Sequence, residues 1–176
     1  MIEVEAKAKI KNLKNIRAKA RMIGKYIGKE KKIDDYYTLE RLKKYPQKSL
    51  RIRKINGFYQ VNFKQRISYI NGVYAKKETE FKISDINDFL ALIEDFGFKK
   101  WLRKEKETEL YKIKKNFHIE LNKVNGLGFF AEVEYLCDKN DIEKARKEVL
   151  RAIKELGINK KELVKEGYTK MLWNKR

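Results

Sequence analysis

The chain has one proline, one cysteine and one histidine in 176 residues. A lone Cys137 cannot close an internal disulfide, which fits a reducing compartment and places the protein in the cytoplasm. With so little proline, no low-complexity stretch and no repeat, there is no sign of a linker, and residues 1–176 read as one domain. No apolar run approaches the roughly 20 residues that a membrane span needs. The opening Met1-Ile2-Glu3-Val4-Glu5 is already charged and alternating, unlike a signal peptide. Acidic residues are also scarce: 25 Asp+Glu stand against 44 Lys+Arg, a formal +19. That balance attracts polyanions, whether nucleic acid, an anionic surface or a phosphorylated small molecule, although Lys-rich solvated faces account for part of it. Hydrophobic residues, at 42%, suffice for a proper core.

What is present is alternation. Three pairs, Asn56-Gly57, Asn71-Gly72 and Asn125-Gly126, supply the positive φ angles of hairpin turns and punctuate runs with strand periodicity. These runs predict strands over 2–11, 33–39, 49–55, 58–67, 73–83, 99–113, 116–123 and 129–136. Helical periodicity predicts helices from Leu13 to Ile23, from Ser84 or Asp85 to just before Gly97, and from Asp141 to Leu156. A short fourth follows Asn159 and ends at Gly167. Strand runs broken by helices, with hairpin turns between them, indicate an α+β antiparallel fold.

Successive strand residues point to opposite faces. On the first strand Ile2, Val4, Ala6, Ala8 and Ile10 oppose Glu3, Glu5, Lys7 and Lys9. Leu50 and Ile52 oppose Arg51 and Arg53; Val61 and Phe63 oppose Asn62, Lys64 and Arg66. Further on, Thr79, Phe81 and Ile83 oppose Lys76, Glu78, Glu80 and Lys82. Phe117, Ile119 and Leu121 oppose His118, Glu120 and Asn122, and Ala131, Val133 and Tyr135 oppose Glu132 and Glu134. Such a pattern fits an open sheet with one wet face, or a closed eight-stranded antiparallel β-barrel with helices outside and charged faces turned inward. Two features favour the barrel: the polar faces hold almost only Glu, Lys and Arg, and closure removes exposed edges. Clustered carboxylates in such a tunnel call for hard cations such as Mg²⁺ or Mn²⁺, and clustered Arg and Lys for a polyphosphate.

At this point the chain resembles the CYTH family of triphosphate tunnel metalloenzymes. Glu3-x-Glu5-x-Lys7 matches the family's opening strand, Asp34-Asp35-Tyr36-Tyr37 its second, and Arg51-x-Arg53 its third. Lys64, the run Lys76-Lys77-Glu78-Thr79-Glu80, the run Leu102-Arg103-Lys104-Glu105-Lys106, and the last two strands with Leu127-Gly128-x-Phe130-x-Glu132-x-Glu134 follow in order, with Tyr168 near the end. Lys106 stands where Arg is usual, and Asn122 where Asp is usual, which weakens any metal contact there.

The resemblance implies a metal-dependent triphosphatase using two divalent cations, Mg²⁺ or Mn²⁺, on tripolyphosphate, ATP or another nucleoside triphosphate; RNA carrying a 5′-triphosphate is a further candidate substrate. It assigns Glu3, Glu5, Glu132, Glu134 and, weakly, Asn122 to metal, and Lys7, Arg51, Arg53, Lys64, Lys76, Lys104 and Lys106 to phosphate. Glu5, Lys7, Glu78 and Glu80 become the catalytic candidates. His118 is read as satisfying hydrogen bonds rather than as a base, Cys137 as inert, and Tyr36, Tyr37 and Trp173 as packing groups. Two alternatives stay open. One is a class IV adenylyl cyclase making cyclic AMP and pyrophosphate from ATP. The other is a non-catalytic basic module for RNA or polyphosphate, which leaves the Glu-x-Glu pairs without a role. Monomer and homodimer both suit the apolar stripe of the third helix.

Overall fold

The structure, a computed structural model, describes residues 1–55 and 57–176. Its strands are β1 (Ile2–Lys9), β2 (Lys25–Thr38), β3 (Leu50–Ile55), β4 (Phe58–Ile70), β5 (Val73–Ile83), β6 (Lys99–Lys114), β7 (Phe117–Val124) and β8 (Gly128–Cys137). They close into an antiparallel barrel in the order β1-β5-β4-β3-β2-β6-β7-β8. The helices α1 (Leu13–Ile23), α2 (Ile86–Asp95), α3 (Ile142–Glu155) and α4 (Tyr168–Trp173) lie outside it. The apolar strand faces therefore turn outward, toward the helices, and the charged faces turn inward.

The main core shows this directly. Val4, Ala6 and Ala8 of β1, Ile119 and Leu121 of β7, and Ala131 and Val133 of β8 pack under Ile16 and Ala20 of α1 and Ala145, Val149 and Ile153 of α3. A second cluster sets Tyr37, Ile52 and Val61 against Ile93 of α2. A third packs Tyr168, Met171 and Leu172 of α4 on Val124, Leu127 and Phe130. Coverage is incomplete over β4 and β5. Phe81 touches Phe89 edge-on at 6.5 Å yet is 50% exposed, and Phe63 is exposed too.

The turn at Asn71-Gly72 has φ of 55° and 86°, the left-handed pair that a tight hairpin between β4 and β5 requires. Asn125-Gly126 also joins antiparallel neighbours, β7 and β8, but through a longer loop up to Gly128. Asn56, half of the first pair, lies outside the described residues.

Two expectations need correction. The second strand starts at Lys25, not near residue 33. Its Lys-rich first half has no clean alternation, but β6 pairs with it from Lys25↔Lys112 onward, and ion pairs such as Lys31–Glu105 lie across the ladder. The fourth helix is also displaced. After Asn159 there is only a 3₁₀ turn at Lys160–Glu162, closed by a capping box between Asn159 and Glu162. The chain then runs extended along the barrel, with Val164 donating its backbone N–H to the Lys7 carbonyl at 2.7 Å, before α4 begins. Gly167 is the N-cap of α4 rather than a helix stop.

Arg146 of α3 is buried and fastens the β4–β5 hairpin. Its Nη1 donates to the carbonyls of Ile70 (3.2 Å) and Val73 (2.8 Å), and its Nη2 to Ser68 Oγ (3.1 Å). An Arg146→Met variant should lose about 1–3 kcal/mol, the usual cost of leaving a buried acceptor unsatisfied. Urea denaturation should show a lower midpoint at unchanged slope. An unchanged midpoint would refute this role.

Candidate active site

Barrel closure brings the inward faces together as a set of ion-paired clusters. In the first, Glu3, Glu5 and Glu134 each offer an oxygen, all within 4.8 Å of one another. The register explains the meeting: Glu5 of β1 stands opposite Glu134 of β8. Lys64 donates to Glu3 and Lys76 donates to Glu5. Burial lifts the Glu3 carboxyl well above its ordinary range, with the charges of Glu134 and Glu5 adding to the rise against the pull of Lys64. Burial pushes on Glu5 as well, but Lys76, Lys7 and Lys64 together hold it well below that range. Burial weighs on half-buried Glu134 as well, yet His118, at 3.7 Å, and Lys64 keep it depressed. In turn His118 is raised: burial alone would lower it, and Glu134 more than offsets that.

A second cluster is organised around Glu120 and Glu132. Lys32 and Lys106 donate to Glu120 at 2.8 and 2.7 Å, and Lys7 and Lys106 reach Glu132 at 3.2 and 3.7 Å. Asn122 donates to Glu120 (3.2 Å) and Glu132 (2.8 Å) and accepts from Thr108 Oγ1 at 2.6 Å. Its carbonyl oxygen is thus already used, and the amide points at two carboxylates as a donor. A third cluster is fully buried Asp34, gripped by Arg53 through both oxygens (2.6 and 2.9 Å) and by Lys104 at 2.8 Å. Burial works against the Asp34 carboxylate, but Lys104 and Arg53 hold it well below its ordinary value. Tyr36 accepts from Lys104 at 3.0 Å, so it belongs to the polar network and does more than pack. In the fourth cluster Arg51 lies 3.6 Å from Glu78 and 3.9 Å from Glu80, and Asn62 donates to both. Glu80 is the most open of these side chains, at 39% exposed.

Each carboxylate of these four clusters has a basic partner, His118 for Glu134 and Lys or Arg side chains for the others. The chain's excess of 44 basic over 25 acidic residues therefore lies elsewhere on the molecule. A polyphosphate entering the tunnel must displace carboxylates from their bases, and those carboxylates then need another positive partner. A divalent cation supplies one, and three converging carboxylates are a hard-oxygen donor set that fits it.

The comparisons agree with this fold. The CYTH domain family matches residues 1–168. The chain belongs to the CYTH family. It is 30% identical, over 97% of its length and 98% of the relative's, to a Methanocaldococcus jannaschii protein named as a putative adenylate cyclase. A solved Pyrococcus horikoshii protein superposes with a TM-score of 0.82 at 28% identity, covering 99% of both chains. A Hippeastrum protein described as having a dominant triphosphatase activity shares the fold, at a TM-score of 0.68 and 14% identity over 99% of this chain and 96% of that one. CYTH proteins include triphosphatases and adenylyl cyclases, and CYTH tunnel enzymes use divalent metal ions. No helix among the described residues is long and apolar enough to cross a membrane.

Every sequence-predicted site residue of this CYTH chain falls in one of the four ion-paired clusters, but the expected metal set does not come together as one. Glu132 sits with Lys7 and Lys106, apart from the Glu3–Glu5–Glu134 triad. Asp34 and Lys32, central to two clusters, were not among the expected site residues. Asp34 lay within a quoted motif, whereas Lys32 fell just before the strand boundary read from alternation. Trp173 packs with Trp101 and Tyr45 at 5.8 and 6.2 Å between ring centroids, as expected of a packing residue. The Cys137 thiol is pushed up by burial, and Asp141 and Asp138 add to the rise, which disfavours the reactive thiolate.

Proposed function

We propose that the tunnel hydrolyses the terminal phosphate of tripolyphosphate or a nucleoside triphosphate, with divalent cations held by Glu3, Glu5 and Glu134. The convergence of those carboxylates within 4.8 Å, beside the half-buried ammonium groups of Lys64 and Lys76, carries this reading. When bound, Mg²⁺ or Mn²⁺ would offset charge on the phosphates and lower the pKa of a coordinated water. The chain's own residues supply the rest. Lys7, Arg51, Arg53, Lys64, Lys76, Lys104 and Lys106 donate to phosphate oxygens and steady the charge that develops as the bond to the leaving diphosphate breaks. Glu78 and Glu80, at the more open part of the wall, orient the attacking water. Lys7 and Glu5 lie on one strand face, so phosphate and metal sites adjoin. A second cation would draw on Glu132 only if Lys7 and Lys106 released it to phosphate. The single thiol suits a reducing cytoplasm.

Cyclisation of ATP is the second reading, favoured by the name carried by the Methanocaldococcus relative. It uses the same cradle but must also fix the nucleoside so that its 3′-hydroxyl reaches the α-phosphorus. Hydrolysis asks less of the site. The test is incubation with tripolyphosphate, ATP and thiamine triphosphate in Mg²⁺ or Mn²⁺, assaying phosphate, pyrophosphate and cyclic AMP separately. Phosphate with a shortened diphosphate is expected. Pyrophosphate with cyclic AMP would overturn hydrolysis in favour of cyclisation, and no product from any substrate would point to a binding module.

A further inference from the structure

Where α4 packs on Val124, Leu127 and Phe130, a buried polar group is left unpaired. Tyr168, first residue of α4, is only 6% exposed and meets Phe130 in a T-shaped contact at 4.9 Å. Lys7 Nζ lies 4.4 Å from the centre of its ring and Lys104 Nζ 5.5 Å from it. The Tyr168 hydroxyl is buried without a hydrogen-bond partner, and Arg51 Nε shares that condition. Burial lifts the Tyr168 hydroxyl well above its ordinary value, and the charges of Glu132 and Glu120 add to the rise. No neighbouring group takes its proton in a bond. Glu120 and Glu132 are engaged by Lys7, Lys32, Lys106 and Asn122, and the Asn122 oxygen accepts from Thr108.

A buried hydroxyl without a partner costs free energy and calls for an explanation, often a ligand. Here the ring that carries the unused donor lies beside two ammonium groups, so a ligand that reaches them meets three donors. It fits a group that only accepts, and the phosphate oxygens of the proposed substrate are of that kind. We propose that Tyr168 is a substrate-binding residue whose hydroxyl donates to a phosphate oxygen held by Lys7 and Lys104, tying α4 to the loaded tunnel. This rests on the polyphosphate reading given above. Apart from that bond, the C-terminal segment is seated by its own contacts. Leu163 bridges Ala8 on the β1 edge, Tyr74 donates to the Lys165 carbonyl, and Thr169 Oγ1 lies 2.7 Å from the Tyr45 hydroxyl. Removing the Tyr168 oxygen alone should therefore leave α4 in place.

The experiment compares wild type with Tyr168→Phe. Tripolyphosphate is titrated calorimetrically into each, with Ca²⁺ replacing Mg²⁺ to slow turnover, and both are melted without ligand. The expected result is about tenfold weaker tripolyphosphate binding by the variant, with a ligand-free melting temperature equal to or above that of wild type. Equal binding by the two proteins would overturn the proposal. So would equal binding accompanied by a lower melting temperature, which would make the hydroxyl a structural group. Failure of wild type itself to bind tripolyphosphate would instead remove the functional reading on which the proposal stands.

Discussion

Replacing Glu5 with Gln should leave a folded protein that has lost metal-dependent phosphate release, with kcat/KM down on the order of 10³-fold, or about 4 kcal/mol of transition-state stabilisation. Three carboxylates with oxygens within 4.8 Å are the proposed donor set for the cation, and the amide of Gln keeps the shape while removing one charge. Glu5 also balances half-buried Lys76, so the substitution carries a stability cost of its own. Glu134→Gln separates the two effects, because its partner His118 can lose its proton where Lys76 cannot readily do so. Both variants should release no more phosphate from tripolyphosphate in Mn²⁺ than a control without metal, while circular dichroism reports an intact fold. A fully active, folded variant of either kind would remove the triad from the mechanism.

Asp34 should dominate stability in the same way that the triad dominates activity. It is fully buried and holds Arg53 and Lys104 together, so Asp34→Asn leaves buried Lys104 and half-buried Arg53 without their counter-charge. Breaking a buried pair from one side costs about 3–5 kcal/mol. At roughly 2–4 °C per kcal/mol for a chain of this size, the melting temperature should fall by roughly 6–20 °C. The pH dependence has a definite sign. A carboxyl depressed in the folded state contributes its stability above the unfolded value of about 3.9, and loses it as the pH falls through the lower folded value. The gap between wild type and Asp34→Asn should thus be full at pH 7 and shrink as the pH falls below about 4. Thermal melts across that range check it, and a gap independent of pH would show that Asp34 acts through shape rather than charge.

Much of the tunnel was legible because strand geometry is simple. A residue two positions along returns to the same face, so Glu3, Glu5 and Lys7 had to share a wall wherever β1 went. The same rule separated Arg51 and Arg53 from Ile52, and Lys104 and Lys106 from Arg103, which pairs outside with Asp35 at 2.8 Å. Boundaries fared worse where alternation was weak. The first half of β2 is a strand because β6 pairs with it, and Lys32 was missed with it. The stretch after Asn159 carried a helix start signal that packing along β1 cut to a single turn.

The opening alternation of charged and apolar residues decided by itself that one face of each strand would be ionic, and it supplied the acids and bases for metal and phosphate. It could not decide who meets whom. Glu132 and Glu134 share a strand face, yet residues two apart stand roughly 6.5–7 Å from each other. The β1–β8 register sets Glu134 opposite Glu5, in the triad, and Glu132 opposite Lys7, in an ion pair. Register depends on closing the barrel, and so on contacts between residues far apart in the chain. Closure likewise brought Tyr168, from the end of the chain, onto Lys7 from its beginning. Side-chain chemistry was set locally by the sequence; the distances that bring it together were set by closure, because a few ångströms separate a converging carboxylate triad from a neutralised pair.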